Sequence, residues 1–146
     1  MAVGERKDPY VGFRFRVEIE GFVMGGFSEA SGLQVEVETE DYNEGGANGF
    51  THKLPKLRKY PNVILKRGLT DSDALWKWLH SVGTKGSSIE RKMVRLILLD
   101  NEGKEKITWR CLRAYPVKWS GSDFKADSGN LAVETLELAH CGIERA

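Results

Sequence analysis

Three histidines, two cysteines and a close pair of aspartates are the residues of this sequence best suited to chemistry. Their spacing decides how much chemistry they could do. His52, His80 and His140 fall far apart, and none belongs to a cluster with metal-ligand spacing. His140 and Cys141 are adjacent, but neighbours on a strand point to opposite faces, so the two could hardly share an ion. Asp71 and Asp73 could be an acid pair or a cation site. They stand, however, at the start of a segment with a helical apolar stripe, where capping and the helix dipole account for both. No serine sits in a nucleophile elbow. The glycine-rich pieces lack the Gly-x-x-x-x-Gly-Lys-Ser/Thr pattern that cradles phosphate, and Gly45-Gly46 marks no more than a turn. The expectation is therefore no catalytic, cofactor-binding or metal-binding set, and no enzyme.

The elements that would have held such a site tell more. Phe13, Phe15, Val17 and Ile19 alternate with Arg14, Arg16, Glu18 and Glu20, which predicts a β-strand with one apolar and one charged face. The partner of the charged face is either water or a neighbouring copy. Leu33, Val35 and Val37 alternate with Gln34, Glu36, Glu38 and Glu40, predicting a second two-faced strand over 33–42. Its acidic row is either a solvated face opposite Lys and Arg or a dedicated interaction surface. Gly21, Gly25, Gly26 and Gly32 read as punctuation between the two strands.

Residues 43–61 show no period and are expected to form a loop, unusually long for a small domain. The stretch combines Phe50, Leu54, Leu57 and Tyr60 with Lys53, Lys56, Arg58 and Lys59. Beside an acidic strand, that composition suggests charge-matched docking, with a loop folded back on its own domain as the alternative. A short strand is expected over 62–68, and then one helix. Thr70 is its natural N-cap, and Leu75, Trp78, Leu79 and Val82 form its apolar stripe. Trp76 lies off the stripe and either caps the packing or faces a partner; Gly83 ends the helix. Residues 93–100 read as a buried strand, Asn101-Glu-Gly103 as a hairpin turn, and 105–119 as a long strand with Pro116 at a bulge or an edge. A turn-rich loop over 120–129 leads to a last strand over 131–143.

The economical architecture is one domain over 1–146, mainly β: a compact antiparallel β-barrel or sandwich of about six strands with one flanking helix. The length, 146 residues, supports a core without disulfide or metal. A net charge of +1, from 22 basic and 21 acidic residues, argues against a general nucleic-acid binder. No apolar run is long enough to cross a bilayer, and the first residues lack a signal-peptide segment, so synthesis in the cytoplasm is expected. Residues 1–9 are expected to form a mobile arm, and Cys111 and Cys141 to be reduced and buried.

Residues 8–21 (Asp8-Pro-Tyr-Val-Gly-Phe-Arg-Phe-Arg-Val-Glu-Ile-Glu-Gly) and 26–33 (Gly-Phe-Ser-Glu-Ala-Ser-Gly-Leu) resemble the opening of tail tube proteins of contractile phages and extracellular contractile injection systems. The resemblance continues through Glu44-Gly-Gly, Leu54-Pro, Asn62-Val-Ile-Leu-Lys-Arg-Gly and Leu75-Trp-Lys-Trp. It returns at Trp109, at Ala114-Tyr-Pro-Val-Lys, and at Glu134-Thr-Leu-Glu-Leu-Ala-His-Cys-Gly, so it covers nearly the whole chain in order.

The resemblance implies a structural subunit of an inner tube. Homohexameric rings would stack around a hollow lumen that passes a tape-measure protein, other cargo or DNA, inside a contractile sheath and on baseplate or hub proteins. The particle would be a phage tail or a phage tail-like particle released from the cell, and the subunit would need no cofactor and insert in no membrane. The segment 43–61 would reach toward the adjoining ring. The charged residues expected to serve contacts between copies are Arg14, Arg16, Glu18, Glu20, Glu36, Glu38, Glu40, Glu44, Lys53, Lys56, Arg58 and Lys59. Two alternatives stand beside this reading: a tube-initiating paralogue at the baseplate, and a monomeric β-barrel that binds a small ligand or peptide.

Overall fold

The structure, a computed structural model, describes residues 8–12, 14–22, 25–42, 51–83, 89–127 and 129–146. The alternation near the start folds as β1 (Phe15–Ile19), with Val17 and Ile19 buried and Phe15 against the same core; Phe13 lies outside the described residues. Strands β2 (Phe27–Ser31), β3 (Glu36–Tyr42), β4 (His52–Lys59) and β5 (Val63–Gly68) follow, then helix α1 (Ala74–Ser81). Strands β6 (Lys92–Leu99), β7 (Glu105–Gly121), β8 (Val133–Ala139) and β9 (Gly142–Arg145) complete the chain. Every pairing is antiparallel.

One sheet runs in the order β1-β6-β7-β8-β5-β2, with β9 on β7; among the described residues β3 and β4 pair only with each other. The expected mainly antiparallel β fold with a flanking helix is what forms. The count of about six strands was low, because nine strands are present among the described residues. Strand β2 occupies the glycine-punctuated stretch. The acidic strand starts at Glu36 rather than Leu33, which leaves Leu33 against the core and Val35 and Val37 exposed. The expected final strand divides into β8 and β9.

The length of β7 makes this topology possible. Its first half lies between β6 and β9, and its second half pairs with β8. Between the halves the strand turns, with Arg113 at φ 52 and a register shift between Pro116 and Lys118. Pro116 has no N–H to give a ladder, so a bulge suits it. The β6–β7 turn is held by Asp100, whose carboxylate accepts from Glu102 N and Lys104 N, each at 2.9 Å. Those bonds, led by the one from Lys104, hold the Asp100 carboxyl below its ordinary range.

The core gathers Val17, Ile19, Val63, Leu65, Val94, Leu96, Cys111, Leu136 and Leu138 from the sheet, and Leu75 and Trp78 from α1. Burying each large side chain contributes about 1.5–3 kcal/mol. Trp78 is also fixed at its polar edge, donating from Nε1 to Glu90 O at 2.8 Å, while Phe22 meets its ring edge-on at 5.6 Å. The helix does not begin at Thr70. Asp73 is the N-cap residue, its carbonyl accepting from Lys77 N at 2.9 Å and its carboxylate pairing with Lys77 at 3.3 Å. Thr70 is used otherwise: its Oγ1 accepts from Arg67 Nη2 at 2.7 Å and from Ser72 N at 3.2 Å.

Candidate assembly interface

Strand period 2 sends the charged residues of β1 to the outer face, and the ladder decides which charges they meet there. Glu18 lies opposite Arg95, Arg95 opposite Arg110, and Arg110 opposite Glu144, so a row of four charges crosses β1, β6, β7 and β9. Arg95 approaches Glu18 at 3.8 Å, and Arg110 approaches Glu144 at 3.5 Å. Arg16 pairs with Glu18 at 3.2 Å and with Glu105. Glu20 accepts from Met93 N at 2.9 Å. Arg14 stands just before the strand, its carbonyl accepting from Leu99 N at 2.8 Å. The charged face is thus compensated first within its own sheet.

The other predicted contact residues gather on the β3–β4 arm. Cross-strand pairing sets Glu36 opposite Lys59, Val37 opposite Arg58 and Asp41 opposite Lys53. Lys59 also pairs with Glu38. The Lys59 hydrogen bond holds the Glu38 carboxyl below its usual range, and Glu38 in turn raises Lys59. Glu40 lies opposite Leu54, and Lys56 falls where the arm's register shifts. Glu44 lies outside the described residues, as do 43–50 generally. Over 52–59 the expected loop is a strand. Every residue of β4 is exposed, and all of β3 except Glu38. A two-stranded ribbon on its own is marginally stable in water, and this arm buries neither face.

The residues first considered for chemistry are dispersed. His52 is on the exposed β4. The ring of His80 lies 4.3 Å from that of Trp76, while His140 lies between the carbonyls of Pro61 (Nε2, 3.0 Å) and Gly142 (Nδ1, 3.3 Å). Among the described residues no group of three or more His, Cys, Asp or Glu is placed to hold a metal, and no helix is long and apolar enough to cross a membrane. Cys111 is buried and free, and burial pushes its thiol up to about 11. Cys141 is also free but exposed, against expectation, because it falls at the bend between β8 and β9 rather than inside a strand.

Two features had not been expected. Arg67 and Glu134 lie directly opposite each other on the core side of β5 and β8, with Arg67 Nε 3.0 Å from Glu134 Oε1 and both side chains almost wholly buried. Trp119 Nε1 donates to Glu134 at 3.2 Å, and Trp119 in turn meets Trp76 edge-on at 4.8 Å, which gives the off-stripe tryptophan its packing role. The second feature is the β7–β8 loop, where Phe124 is 88% and Leu131 87% exposed. The sequence signal was Phe124 alone in the turn-rich stretch, since Leu131 was expected to open the last strand.

The fold as a whole, a mainly antiparallel β body with one helix, superposes on chains of contractile injection systems. The cap of the anti-feeding prophage, its tube terminating cap, superposes with a TM-score of 0.85 at 24% identity, over 100% of this chain and 99% of that one. A chain of the anti-feeding prophage baseplate gives 0.83 at 25% identity, over 97% of each. A chain of the sheath–tube complex of PVC, an extracellular contractile injection system in its extended state, gives 0.83 at 24% identity, over 94% and 91%. No curated protein matches the sequence. The model of the T4-like virus tail tube protein gp19 family matches residues 11–144, and the chain belongs to that family of structural tail components.

Proposed function

We propose that this chain is the main inner-tube subunit of a contractile phage tail or injection particle, forming hexameric rings that stack into a hollow tube. The observation that carries the reading is the β3–β4 arm, fourteen of whose fifteen strand residues are exposed. The adjoining ring is its proposed partner. Its acidic β3 and basic β4 provide charges of both signs for that contact, and repetition around a ring lets individually modest contacts add. The outer face of β1, β6, β7 and β9 serves the assembly as a hydrated, nearly neutral wall. The sheath supplies the work, baseplate proteins seat one end, and the tube stays rigid around its cargo without catalysing anything.

Glu36 and Lys59 are directly opposed, so an Asn-Gly turn replacing residues 37–58 can close the stump of the arm. Purified arm-less protein is expected to keep native circular dichroism and cooperative unfolding while losing ring and tube formation in negative-stain images. Normal tubes from the arm-less chain would refute the arm's role, and monomers of the full chain at every concentration would refute the tube itself.

A second reading is favoured by the likeness to cap and baseplate chains: a paralogue that starts or ends the tube. The same images separate the two. A main subunit elongates into tubes, whereas an initiating or terminating paralogue halts at single rings.

A further inference from the structure

The β7–β8 loop and a recess on the opposite part of the sheet fit one another as the two halves of a head-to-tail contact. The loop leaves β7 at Gly121 and enters β8 at Val133, beside Gly68 at the C-terminal end of β5. It presents Phe124 and Leu131 almost fully to solvent. The recess, of about 140 Å3, is apolar and lies where edge strands β1 and β2 approach without pairing; Phe15, Ala30, Leu33, Leu98 and Trp109 line it. An apolar cavity of ~150 Å3 is enough for a benzene ring, so the recess suits one aromatic side chain.

The registers place the two features apart. Ala30 lies opposite Leu65 and Ser31 opposite Ile64, which puts this side of the recess toward the N-terminal part of β5, away from Gly68. On β7, Trp109 pairs with Leu96 in the first half, whereas the loop begins at the other end of the strand. A chain cannot fill its own recess across that separation. A second copy, shifted along the strand direction, can.

Charge points the same way. Asp123 precedes Phe124, and Asp127 adds a second carboxylate to the loop against the single cation Lys125. Arg145 is the cross-strand partner of Trp109, so its exposed side chain stands on the recess face beside that ring, without an ion pair among the described residues.

We propose that Phe124 of one copy inserts into the Phe15–Leu33–Trp109 recess of the next, with Leu131 packed at the rim and Asp123 paired to Arg145. The contact is heterologous, a knob on one part of the chain and its hole on another. Such contacts build rings or open stacks rather than closed two-fold dimers. The inference rests on the tube reading but concerns a contact separate from the arm.

The test uses the full chain and four variants: F124S/L131S, D123R, R145D and the D123R/R145D swap. Circular dichroism checks that each folds, which exposed positions favour. The expected result is a rise of at least tenfold in the subunit concentration needed for assembly by F124S/L131S, D123R and R145D, with the swap restoring most of the loss. Wild-type tubes accompanied by equally ready assembly of F124S/L131S would overturn this contact and leave the tube reading standing. A swap no better than the worse single change would overturn the Asp123–Arg145 pairing. A wild-type chain that never assembles would overturn both readings at once.

Discussion

Replacing Glu134 by Gln alters one charge and almost no volume, and the structure sets how costly that change is. Glu134 occupies a core-side position of β8, in line with Leu136 and Leu138, and faces Arg67 in line with Leu65 and Val63. One of its oxygens lies 3.0 Å from Arg67 Nε as an ion pair, and the other accepts from Trp119 Nε1 at 3.2 Å. An amide can keep only one of these acceptors; the other position becomes an N–H set against an N–H. Removing one member of a buried ion pair costs about 3–5 kcal/mol, a large share of the roughly 5–15 kcal/mol that stabilises a typical domain. E134Q is therefore expected to unfold about 3–5 kcal/mol more easily, lowering Tm by roughly 10 °C for a chain of this size. Urea unfolding of soluble subunits, followed by tryptophan fluorescence, measures it. The double variant R67M/E134L removes both charges at similar volume and leaves Trp119 and Thr70 each short of a partner, about 1–3 kcal/mol apiece at most. It is expected to be more stable than E134Q. A loss below about 1 kcal/mol for E134Q, or a double variant as weak as the two single changes added together, would refute the claim that the pair acts as a buried unit.

Two further outcomes follow from local geometry. Gly32 has φ +85, and an added Cβ would sit 2.2 Å from the carbonyl oxygen of Asn62, whereas Gly26 at φ +79 has open space around it. G26A is expected to cost about 1–3 kcal/mol for conformation alone, and G32A distinctly more, in parallel thermal melts; equal losses would show that the backbone clash is relieved freely. Cys141 is exposed, while Cys111 is buried with its thiol raised to about 11, so at pH 8 about one Cys111 in a thousand would be thiolate. A thiol reagent should therefore modify one equivalent in native protein and two in denaturant, and rapid reaction of both in native protein would contradict the placement of Cys111.

What could be read from the sequence tracks what is buried. Strands β1, β5, β6 and β7 were legible because each puts apolar residues on a core face, and burial is what imposes a period of two. Strand β4 was not, since none of its residues is buried and Pro55 stands in its middle, tolerable because β4 is paired on one side only. Strand β2 was hidden by the flanking glycines and by a weak pattern, Phe-Ser-Glu-Ala-Ser. The Arg67–Glu134 pair was written in the same alternation as Val63–Leu65 and Leu136–Leu138, but a charge on the core parity reads as the end of a strand unless its partner is known. The charged face of β1 was recognised as a surface, yet its first partners came from β6 and β7, which only register supplies. Alternation separates inside from outside. It does not separate water from a neighbour.

That distinction also bears on how such a subunit would build. The body has its own core and a buried ion pair, to which the strands of the arm contribute no residue. Ordering the arm costs conformational entropy that the isolated chain recovers only through its own ladder and exposed ion pairs, which are worth little singly. In the proposed assembly that cost is offset only when the arm and the Phe124 loop find their partners together. An incoming subunit meeting one lone copy gains one such contact, whereas at a preformed ring it gains several at once. In that proposed assembly, growth from an existing end is then favoured over spontaneous association in solution. The same sparse burial that hid β4 from the sequence is what leaves the arm open to a partner in the proposed assembly.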